Sequence, residues 1–257
     1  MAGLKADTVL LFSGLDPTGG AGISADIETI NQFGISALPI VTTLTAQNTQ
    51  EVKLFEATSP KLIETQFKLL SDDIPFRTVK IGLLGSLDQI KTITRLLKEK
   101  SNLAIIHDPI INSGNEEKLL DDEAIDYMRN ELIPIVTILT PNLNELNRLA
   151  PGLDEQSAIA NLNCPWVLVT TADSSDVDIE HRLYHDSKLV ECFSYKKLPD
   201  KYHGSGCTLS SAISALVASD VAVNIACKRA LDYTYQTLLN AKSLGKMQYH
   251  PNRNLPK

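Results

Sequence analysis

Short apolar runs alternate with amphipathic segments along most of the chain. Six runs are rich in apolar residues, which is typical of strands buried inside a sheet; they are residues 8–12, 37–43, 78–85, 103–106, 135–139 and 166–169. Residues 23–33, 60–70 and 87–97 instead carry apolar side chains every three or four positions, which predicts helices with one buried face. The alternation predicts an α/β fold with a mainly parallel central sheet and helices on both faces.

The alternation of apolar runs and amphipathic segments changes in the last third of the chain. Residues 182–184 and 189–193 flank the polar stretch 185–188, which predicts a late β-hairpin. A helical pattern begins after residue 207, and another runs from about residue 221 to residue 241. Residues 248–257 follow no periodicity, so we expect a loosely ordered tail. With no repeat or linker visible, residues 1–257 are interpreted as a single domain.

Composition narrows the classes of function. A chain of 257 residues with 43% hydrophobic residues can bury a sizeable core. The net charge of -7 argues against general nucleic-acid binding, which needs clustered Lys and Arg. The cysteines are widely spread and form no C-x-x-C pair, so neither zinc nor a disulfide framework is indicated. No signal peptide and no membrane-length apolar stretch is visible, so we expect a cytoplasmic protein.

The strongest local signal for chemistry is HGSGCTLSS at residues 203–211. Gly204 and Gly206 precede a helical pattern, and the unpaired N–H groups of a helix start favour a phosphate. Cys207 would lie in that positive field, which favours its thiolate. We therefore expect phosphoryl transfer here, with Cys207 acting on the accepting hydroxyl. The alternative is an ordinary tight turn followed by a cysteine that packs as a small hydrophobic residue.

Asp26 and the neighbouring pair Gln47 and Asn48 are candidates for binding a ligand. Asp26 borders the apolar stripe of the first helix, so its carboxylate needs a partner. That partner is either a polar ligand or the backbone amides of the glycine-rich turn at residues 14–22. Gln47 and Asn48 carry donors and acceptors that suit a heterocycle, but they are also typical of a polar strand end.

Two acidic residues follow strands, where open α/β sheets bind their ligands. Asp108 follows the apolar run at residues 103–106, after His107. Glu145 begins a helix after Thr140-Pro141-Asn142. Both are candidates for a magnesium ion that carries nucleotide phosphates. Turn formation and helix capping are the alternatives, and capping is a strong one for Glu145 in a first helical turn.

Several blocks together resemble the hydroxymethylpyrimidine and phosphomethylpyrimidine kinases of thiamine biosynthesis, in the ribokinase-like superfamily. Their order and spacing match over about residues 9–239, which is far more specific than any single motif. The blocks are residues 14–26, 45–49 (TAQNT), 80–82 (KIG), 119–120 (LL), 140–145 (TPNLNE) and 203–211.

The resemblance implies a ribokinase-like fold, ATP as phosphoryl donor, Mg²⁺ as cofactor, and 4-amino-5-hydroxymethyl-2-methylpyrimidine and its monophosphate as substrates. It places Cys207 as the catalytic base and Gly204, Ser205 and Gly206 in the anion hole. It also implies roles for several other positions. Asp26 and Gln47 would hydrogen-bond the pyrimidine, Gly14, Leu83 and Ile110 would line its pocket, and Asp108, Asn142 and Glu145 would lie on the magnesium and phosphate side. Relatives are often dimers, so a homodimer is an expectation by analogy.

The chain departs from the family pattern on the nucleotide side. Thr170, within Val169-Thr170-Thr171-Ala172-Asp173, stands where the family usually carries a lysine that meets ATP phosphates, and a hydroxyl brings no charge. Asn112-Ser113-Gly114 replaces Lys-Ser-Gly, and the usual glycine-rich C-terminal motif is not recognisable. Three interpretations therefore stay open: a pyrimidine kinase that uses other cations, for example from a neighbouring subunit, a weakened kinase with poor ATP affinity, or a degenerate homologue that binds a pyrimidine without phosphorylating it. Among enzymes, a pyridoxal-type vitamin kinase on the same scaffold is the near alternative.

Overall fold

The computed structural model describes residues 8–111, 119–171 and 178–256. Nine strands form one sheet in the order β3-β2-β1-β4-β5-β6-β7-β8-β9. The strands are β1 Thr8–Leu15, β2 Ser36–Gln47, β3 Val52–Ala57, β4 Thr78–Ile81, β5 Ala104–His107, β6 Ile138–Leu139, β7 Trp166–Val169, β8 Asp178–His185 and β9 Lys188–Lys196. The α-helices are α1 Gly22–Gln32, α2 Pro60–Asp73, α3 Leu87–Lys98, α4 Asp122–Tyr127, α5 Leu143–Leu149, α6 Glu155–Leu162, α7 Ser205–Ala218 and α8 Val223–Leu239.

The central strands are parallel and the outer ones are antiparallel. Parallel pairing runs from β2 through β1, β4, β5 and β6 to β7, whereas β3, β8 and β9 each join by antiparallel pairs. Apolar side chains of the central strands are almost fully buried, which explains their near-continuous apolar sequence. The α/β class and the mainly parallel sheet predicted from the sequence are confirmed.

Local signals in the sequence explain several element boundaries. Ser59 and Ser86 cap α2 and α3 through their side-chain oxygens, and Pro60 occupies the first turn of α2. The predicted hairpin is present as β8 and β9. Its two-residue turn has positive φ at Asp186 (47°) and Ser187 (61°), a backbone twist that suits a tight hairpin.

One strand was not expected. Strand β3 pairs antiparallel with the end of β2 at one edge of the sheet. Its sequence, VKLFEA, mixes charged and apolar residues, and much of the strand is exposed. A short edge strand of this kind lacks the apolar run that marks the central strands. The residue 45–49 block therefore leads into a hairpin.

The candidate site forms around helix α7, which is deeply buried. Residues 207–216 of α7 are all buried, and the helix packs against α1, α8 and the central strands. Its N-terminus lies near the carboxyl ends of β1, β4 and β5, because residues of the following loops contact it. Asp108, directly after β5, accepts a hydrogen bond from Ser210 of α7. The fold thus brings the residue 203–211 motif to the sheet edge where α/β proteins bind ligands.

The expectation of a loosely ordered tail is wrong for residues 248–256, which we call the C-terminal strap. The Asn252 backbone N–H donates to Thr237 O at 3.0 Å, and the Tyr233 hydroxyl donates to Arg253 O at 2.8 Å. Gln32 Nε2 donates to Leu255 O at 2.6 Å. The strap is held by specific polar contacts, so it has no apolar periodicity for sequence analysis to detect.

The described ranges hold no helix that could span a lipid bilayer, since none joins sufficient length to a sufficiently apolar composition.

Candidate active site

Two cavities meet at the first turn of α7. The small cavity encloses about 110 Å³, and the large cavity encloses about 570 Å³. Cys207 lines the small cavity, while Ser205 and Gly206 line the large one. A group held against this turn is therefore within reach of ligands from both sides.

The small cavity gathers most of the residues that the resemblance assigned to the pyrimidine. Its lining includes Gly14, Gln47, Leu83, Ile110 and Cys207. Val52 and Phe55 of the unexpected strand β3 complete its apolar wall. Asp26, which was expected among these residues, does not belong to the lining.

Asp26 has a different partner from either of those considered. It is fully buried, and its two oxygens lie 2.9 and 3.0 Å from Lys80 Nζ, while Ser211 donates to Oδ1 at 2.8 Å. Burial alone would lower the pKa of Lys80, but the Asp26 carboxylate raises it above its usual value. Lys80 is therefore charged, and the buried ion pair links α1 and β4 to α7.

The backbone at the start of α7 requires glycine. Gly204 has φ +88°, and a Cβ there would collide with the Gly20 carbonyl oxygen. The Thr208 N–H and hydroxyl both donate to Gly204 O, at 2.9 and 2.8 Å. Gly204 has no side chain to cap the helix, so the N–H groups of the first turn are left for an anion. Gly204, Ser205 and Gly206 thus have the local geometry that an anion hole needs.

The protonation of Cys207 differs from the sequence-based expectation. Burial raises the pKa of the Cys207 thiol to about 12, and this outweighs the lowering effect of Lys80. This burial favours the protonated thiol over the thiolate that the sequence predicted. A position in a first helical turn indicates a positive field, but the sequence does not reveal the cost of burying the charged sulfur.

Asp108 is the neighbouring group that can take a proton. Burial raises the pKa of Asp108 to about 6, whereas Lys80 and hydrogen bonds from Ser210 and the Cys207 thiol lower it. Its carboxylate lies beside Gly206, since a Cβ there would be 3.5 and 3.6 Å from the two carboxylate oxygens. At neutral pH Asp108 is mostly ionised, and it accepts a hydrogen bond from Ser210 at 3.4 Å.

Sequence analysis missed a polar group in the small cavity. Asp16 and His203 both line it, and His203 Nε2 lies 2.9 Å from Asp16 Oδ2 and 3.3 Å from Gln47 Nε2. Burial would raise the pKa of Asp16, but hydrogen bonds from His203 and Thr18 lower it to about 2. The D-P-T-G sequence was a usable signal, because Asp16 Oδ1 accepts from the Thr18 N–H in an Asx-type turn.

The residues expected on the phosphate side are engaged in helix capping. The Asn142 side chain accepts from the Glu145 N–H at 2.8 Å, and Glu145 Oε2 accepts from the Asn142 N–H at 2.9 Å. This is a capping box at the start of α5, the alternative that the sequence favoured for Glu145. Within the residues that the structure describes, no group of three or more His, Cys, Asp or Glu could hold a metal ion.

Thr170 lies beside this capping box and lines the large cavity. Its backbone bridges to Asn142, and its N–H donates to Pro141 O at 2.9 Å. The cationic side chains that line the large cavity are Lys197 and Lys201. Residues 112–114 and 172–173, where the family pattern is also broken, lie outside the described residues.

Comparisons with known proteins agree with the motifs. A family model described as phosphomethylpyrimidine kinase matches residues 16–252. A hydroxymethylpyrimidine/phosphomethylpyrimidine kinase from Aquifex aeolicus (strain VF5) is 31% identical over 246 residues, covering 92% of this chain and 96% of the relative. These matches confirm the resemblance drawn from the sequence.

Solved structures support the same fold. An ADP complex of Bacillus subtilis pyridoxal kinase has a TM-score of 0.86 at 25% identity and covers 96% of this chain and 97% of its own. Phosphomethylpyrimidine kinase from Clostridium difficile 630 has a TM-score of 0.77 at 28% identity and covers 90% of this chain and 99% of its own. The fold is ribokinase-like, as expected. With the family model spanning most of its length, this chain belongs to the phosphomethylpyrimidine kinase family and is a phosphotransferase.

Proposed function

We propose that this protein transfers the γ-phosphate of ATP to 4-amino-5-hydroxymethyl-2-methylpyrimidine, and then to its monophosphate, in thiamine biosynthesis. One observation carries the proposal: the first turn of α7 separates a small cavity that contains Cys207 from a large cavity that contains Ser205 and Gly206. A hydroxymethyl group on one side and a nucleotide on the other would meet at the amides of this turn.

The small cavity suits a flat, amphipathic heterocycle. Leu83, Ile110 and Phe55 supply apolar surface, and Gln47 and His203 supply polar groups at one edge. Apolar walls with a few placed polar groups are typical of small-molecule sites. In this proposal Gly14 allows close approach of the ring, since a Cβ at that position would lie 3.0 Å from Leu83 Cδ2. Asp26 acts from outside the lining, by holding Lys80 close to Cys207 and Asp108.

The large cavity suits the nucleotide. Tyr195 lies between His181 and Tyr235, with ring centroids 5.8 and 5.1 Å away, and all three rings line this cavity. The Thr234 hydroxyl also lines it, is buried, and has no hydrogen-bond partner among the described residues. Aromatic surface and an unsatisfied hydroxyl are suited to a nucleobase. Lys201 is the cation that we propose for the phosphates in place of a lysine at position 170.

Proton transfer follows from the contact between Cys207 and Asp108. As the new bond forms between the substrate oxygen and the γ-phosphorus, the hydroxyl proton passes to the Cys207 sulfur and the thiol proton passes to Asp108. The bond between the γ-phosphorus and the β,γ-bridging oxygen breaks, and ADP leaves. Asp108, with a pKa of about 6, is ionised at neutral pH and can accept this proton. Lys80 and the α7 amides stabilise the negative charge.

Magnesium enters the proposal with the nucleotide. Mg²⁺ usually keeps several waters and uses one or two carboxylates plus substrate phosphates, so a site without a protein cage fits it. The contacts of Asp108 with Ser210 and Cys207 favour the role of proton acceptor over that of metal ligand. Glu145, with Asn142 near Thr170, is the carboxylate that we propose on the magnesium side. The metal would supply charge neutralisation on the phosphates.

Release of ADP from Mg-ATP tests the proposal directly. The purified protein is offered the hydroxymethylpyrimidine, its monophosphate, and pyridoxal in parallel. Release with both pyrimidines is the expected result. Absence of release with every substrate, together with thermal stabilisation by the pyrimidine, would instead support a non-catalytic binding protein. Sedimentation of the same preparation tests the homodimer, and fractionation of cells that express the protein tests a cytoplasmic location.

A pyridoxal-type kinase is the second candidate. The ADP complex of Bacillus subtilis pyridoxal kinase superposes on this chain with a TM-score of 0.86, so the same scaffold serves another hydroxymethyl heterocycle. Release of ADP with pyridoxal and not with the pyrimidines would favour this candidate.

A further inference from the structure

The side chain of Arg253, in the C-terminal strap, extends to the first turns of α7. The residue is only 3% exposed, although it lies four positions before Lys257. Its carbonyl oxygen accepts the Tyr233 hydroxyl at 2.8 Å, which fixes the strap against α8. The side chain is therefore directed inward from an anchored backbone.

The guanidinium joins the first turns of α7 to the turn that precedes α1. Nε donates to Thr208 Oγ1 at 2.9 Å, in the first turns of α7. Nη2 donates to the Gly20 carbonyl oxygen and Nη1 to Gly19 O at 3.4 Å, both in the turn that precedes α1. The outer face of Nη1 meets Glu28 at 3.2 Å. The planar fork thus uses its fixed geometry to hold four acceptors in one arrangement.

These contacts extend to the residue that begins the anion hole. Thr208, which accepts from Arg253, donates its own hydroxyl to Gly204 O at 2.8 Å. A Cβ at Gly204 would lie 2.9 Å from Arg253 Nη2, so the guanidinium borders the start of the helix. The left-handed backbone of Gly204 is thereby enclosed between the Gly20 carbonyl and the guanidinium.

The charge of Arg253 also affects the electrostatic potential at the first turn of α7. A cation at a helix N-terminus opposes the helix dipole and is unfavourable unless an anion is nearby. The carbonyl and hydroxyl acceptors offset the cost of burying the guanidinium, and the remaining positive potential adds to that of the α7 amides. Such a potential favours a negatively charged group at the first turn of α7.

We propose that Arg253 is a positioning residue for phosphoryl transfer, which sets the Gly19-Gly20 turn and Gly204 so that the α7 amides face the migrating phosphoryl group. The proposal rests on the proposed function for its kinetic consequences. Its structural part concerns the free protein and can be tested without any substrate.

The experiment compares Arg253→Lys and Arg253→Met with the wild-type full-length chain. We expect kcat to fall at least about tenfold in both variants while the KM for the hydroxymethylpyrimidine changes by less than about threefold, since the small cavity does not include Arg253. Hydrogen exchange of the free protein should become faster in peptides that cover residues 18–22 and 204–208. Lysine keeps the charge, so a loss in Arg253→Lys assigns the effect to the forked geometry.

Glu28→Gln is the matched control, because it alters the exposed partner of the same guanidinium and touches neither loop. It should keep kcat within about twofold and leave exchange unchanged. Thr208→Val provides a second route to the same defect, because it removes the acceptor and leaves the strap intact. If Arg253→Met fails to fold, kcat, KM and hydrogen exchange are measured on Thr208→Val instead.

The outcomes separate the two proposals. Wild-type kcat and wild-type exchange in Arg253→Lys and Thr208→Val would overturn the role of Arg253. A KM increase that accounts for the whole loss would also overturn it, because that result indicates damage to substrate binding. If the wild-type protein releases no ADP with any substrate, the proposed function fails, while hydrogen exchange still decides whether Arg253 couples the two loops.

Discussion

We propose that Cys207 acts on the substrate hydroxyl, and its protonation state limits how it can act. The sulfur lines the small cavity, lies close to Asp108, and has a pKa of about 12 because it is buried. A thiol with this pKa is almost entirely protonated at neutral pH. We infer that Cys207 passes a proton on to Asp108 during transfer, and this differs from a resting thiolate that waits for substrate.

The Cys207→Ser variant tests the role of the sulfur. We expect kcat to fall at least about 100-fold, because a serine hydroxyl is a weaker acid and a less polarizable proton carrier than a thiol. Binding of the pyrimidine, measured by calorimetry, should stay within about threefold of the wild-type value. Cys192→Ser is the control, since Cys192 is exposed on β9. An unchanged kcat in Cys207→Ser would remove the sulfur from the mechanism.

The pH dependence of kcat/KM tests Asp108 as the proton acceptor. Asp108 must be ionised, and its pKa is raised to about 6, so activity should be full above that pH and lost as pH falls through it. Below the pKa we expect about a tenfold loss per pH unit. Between pH 7 and pH 9 the profile should be flat, because Cys207 titrates only near pH 12.

Two observations would contradict this assignment. A rate that rises about tenfold per pH unit between pH 7 and pH 9 would indicate that the thiolate of Cys207 is the active form. An Asp108→Asn variant that keeps the inflection near pH 6 would assign that titration to another group. The comparison should be made at saturating Mg-ATP, so that ionisation of the nucleotide does not enter the profile.

The predicted site residues that the structure brings together are those marked by local motifs. Gln47, Leu83 and Cys207 come together around the small cavity as their motifs indicated. Lys80 could not be identified as the partner of Asp26, because the two are 54 positions apart and meet only in the folded chain. The raised pKa of Cys207 was missed for a related reason, since burial is a property of the folded chain.

At the scale of secondary structure, α5 combines a structural role with a proposed functional one. The capping box of Asn142 and Glu145 fixes the start of α5 beside Thr170 and the large cavity. A capping carboxylate accepts a backbone hydrogen bond whether or not it also faces a metal ion. The two roles predict different consequences when the charge alone is removed.

Glu145→Gln and Asn142→Ala separate these roles. Glu145→Gln keeps an oxygen acceptor for the cap, so the free energy of unfolding should change by less than about 0.5 kcal/mol. If Glu145 serves the magnesium side, the KM for Mg-ATP should rise at least about fivefold. Asn142→Ala removes the cap and should cost about 1 kcal/mol in urea unfolding. Wild-type kinetics in Glu145→Gln would leave the residue with a capping role only.

Apolar runs predicted the central strands well but gave poor boundaries where the chain is irregular. The run at residues 135–139 predicted a five-residue strand, whereas β6 spans only Ile138–Leu139 and a 3₁₀ turn occupies Ile133–Ile135. Pro134 favours that turn, and apolar content alone cannot distinguish it from a strand. Strand β3 was missed because an exposed edge strand has no continuous apolar run.

At the scale of the whole molecule, the last residues of the chain lie beside the candidate site. Helix α7 provides the amides, the loops after β1, β4 and β5 contribute to the small cavity, and the C-terminal strap packs against α7 and α8. The sequence pointed to α7 and to these loops because each carries a motif. The strap has neither a motif nor apolar periodicity, and its contacts are with residues as distant as Gly20, 233 positions away.

Truncation tests how far the fold depends on the strap. A chain that ends at Met247 should lose at least about 3 kcal/mol in the free energy of unfolding, because several buried hydrogen bonds are lost at about 1 kcal/mol each. They include those to Thr237, Tyr233 and Thr208. A chain that ends at Leu255 is the control and should match the wild type, since it keeps every one of these contacts. A loss below about 1 kcal/mol in the shorter chain would restore the interpretation of residues 248–257 as a loose tail.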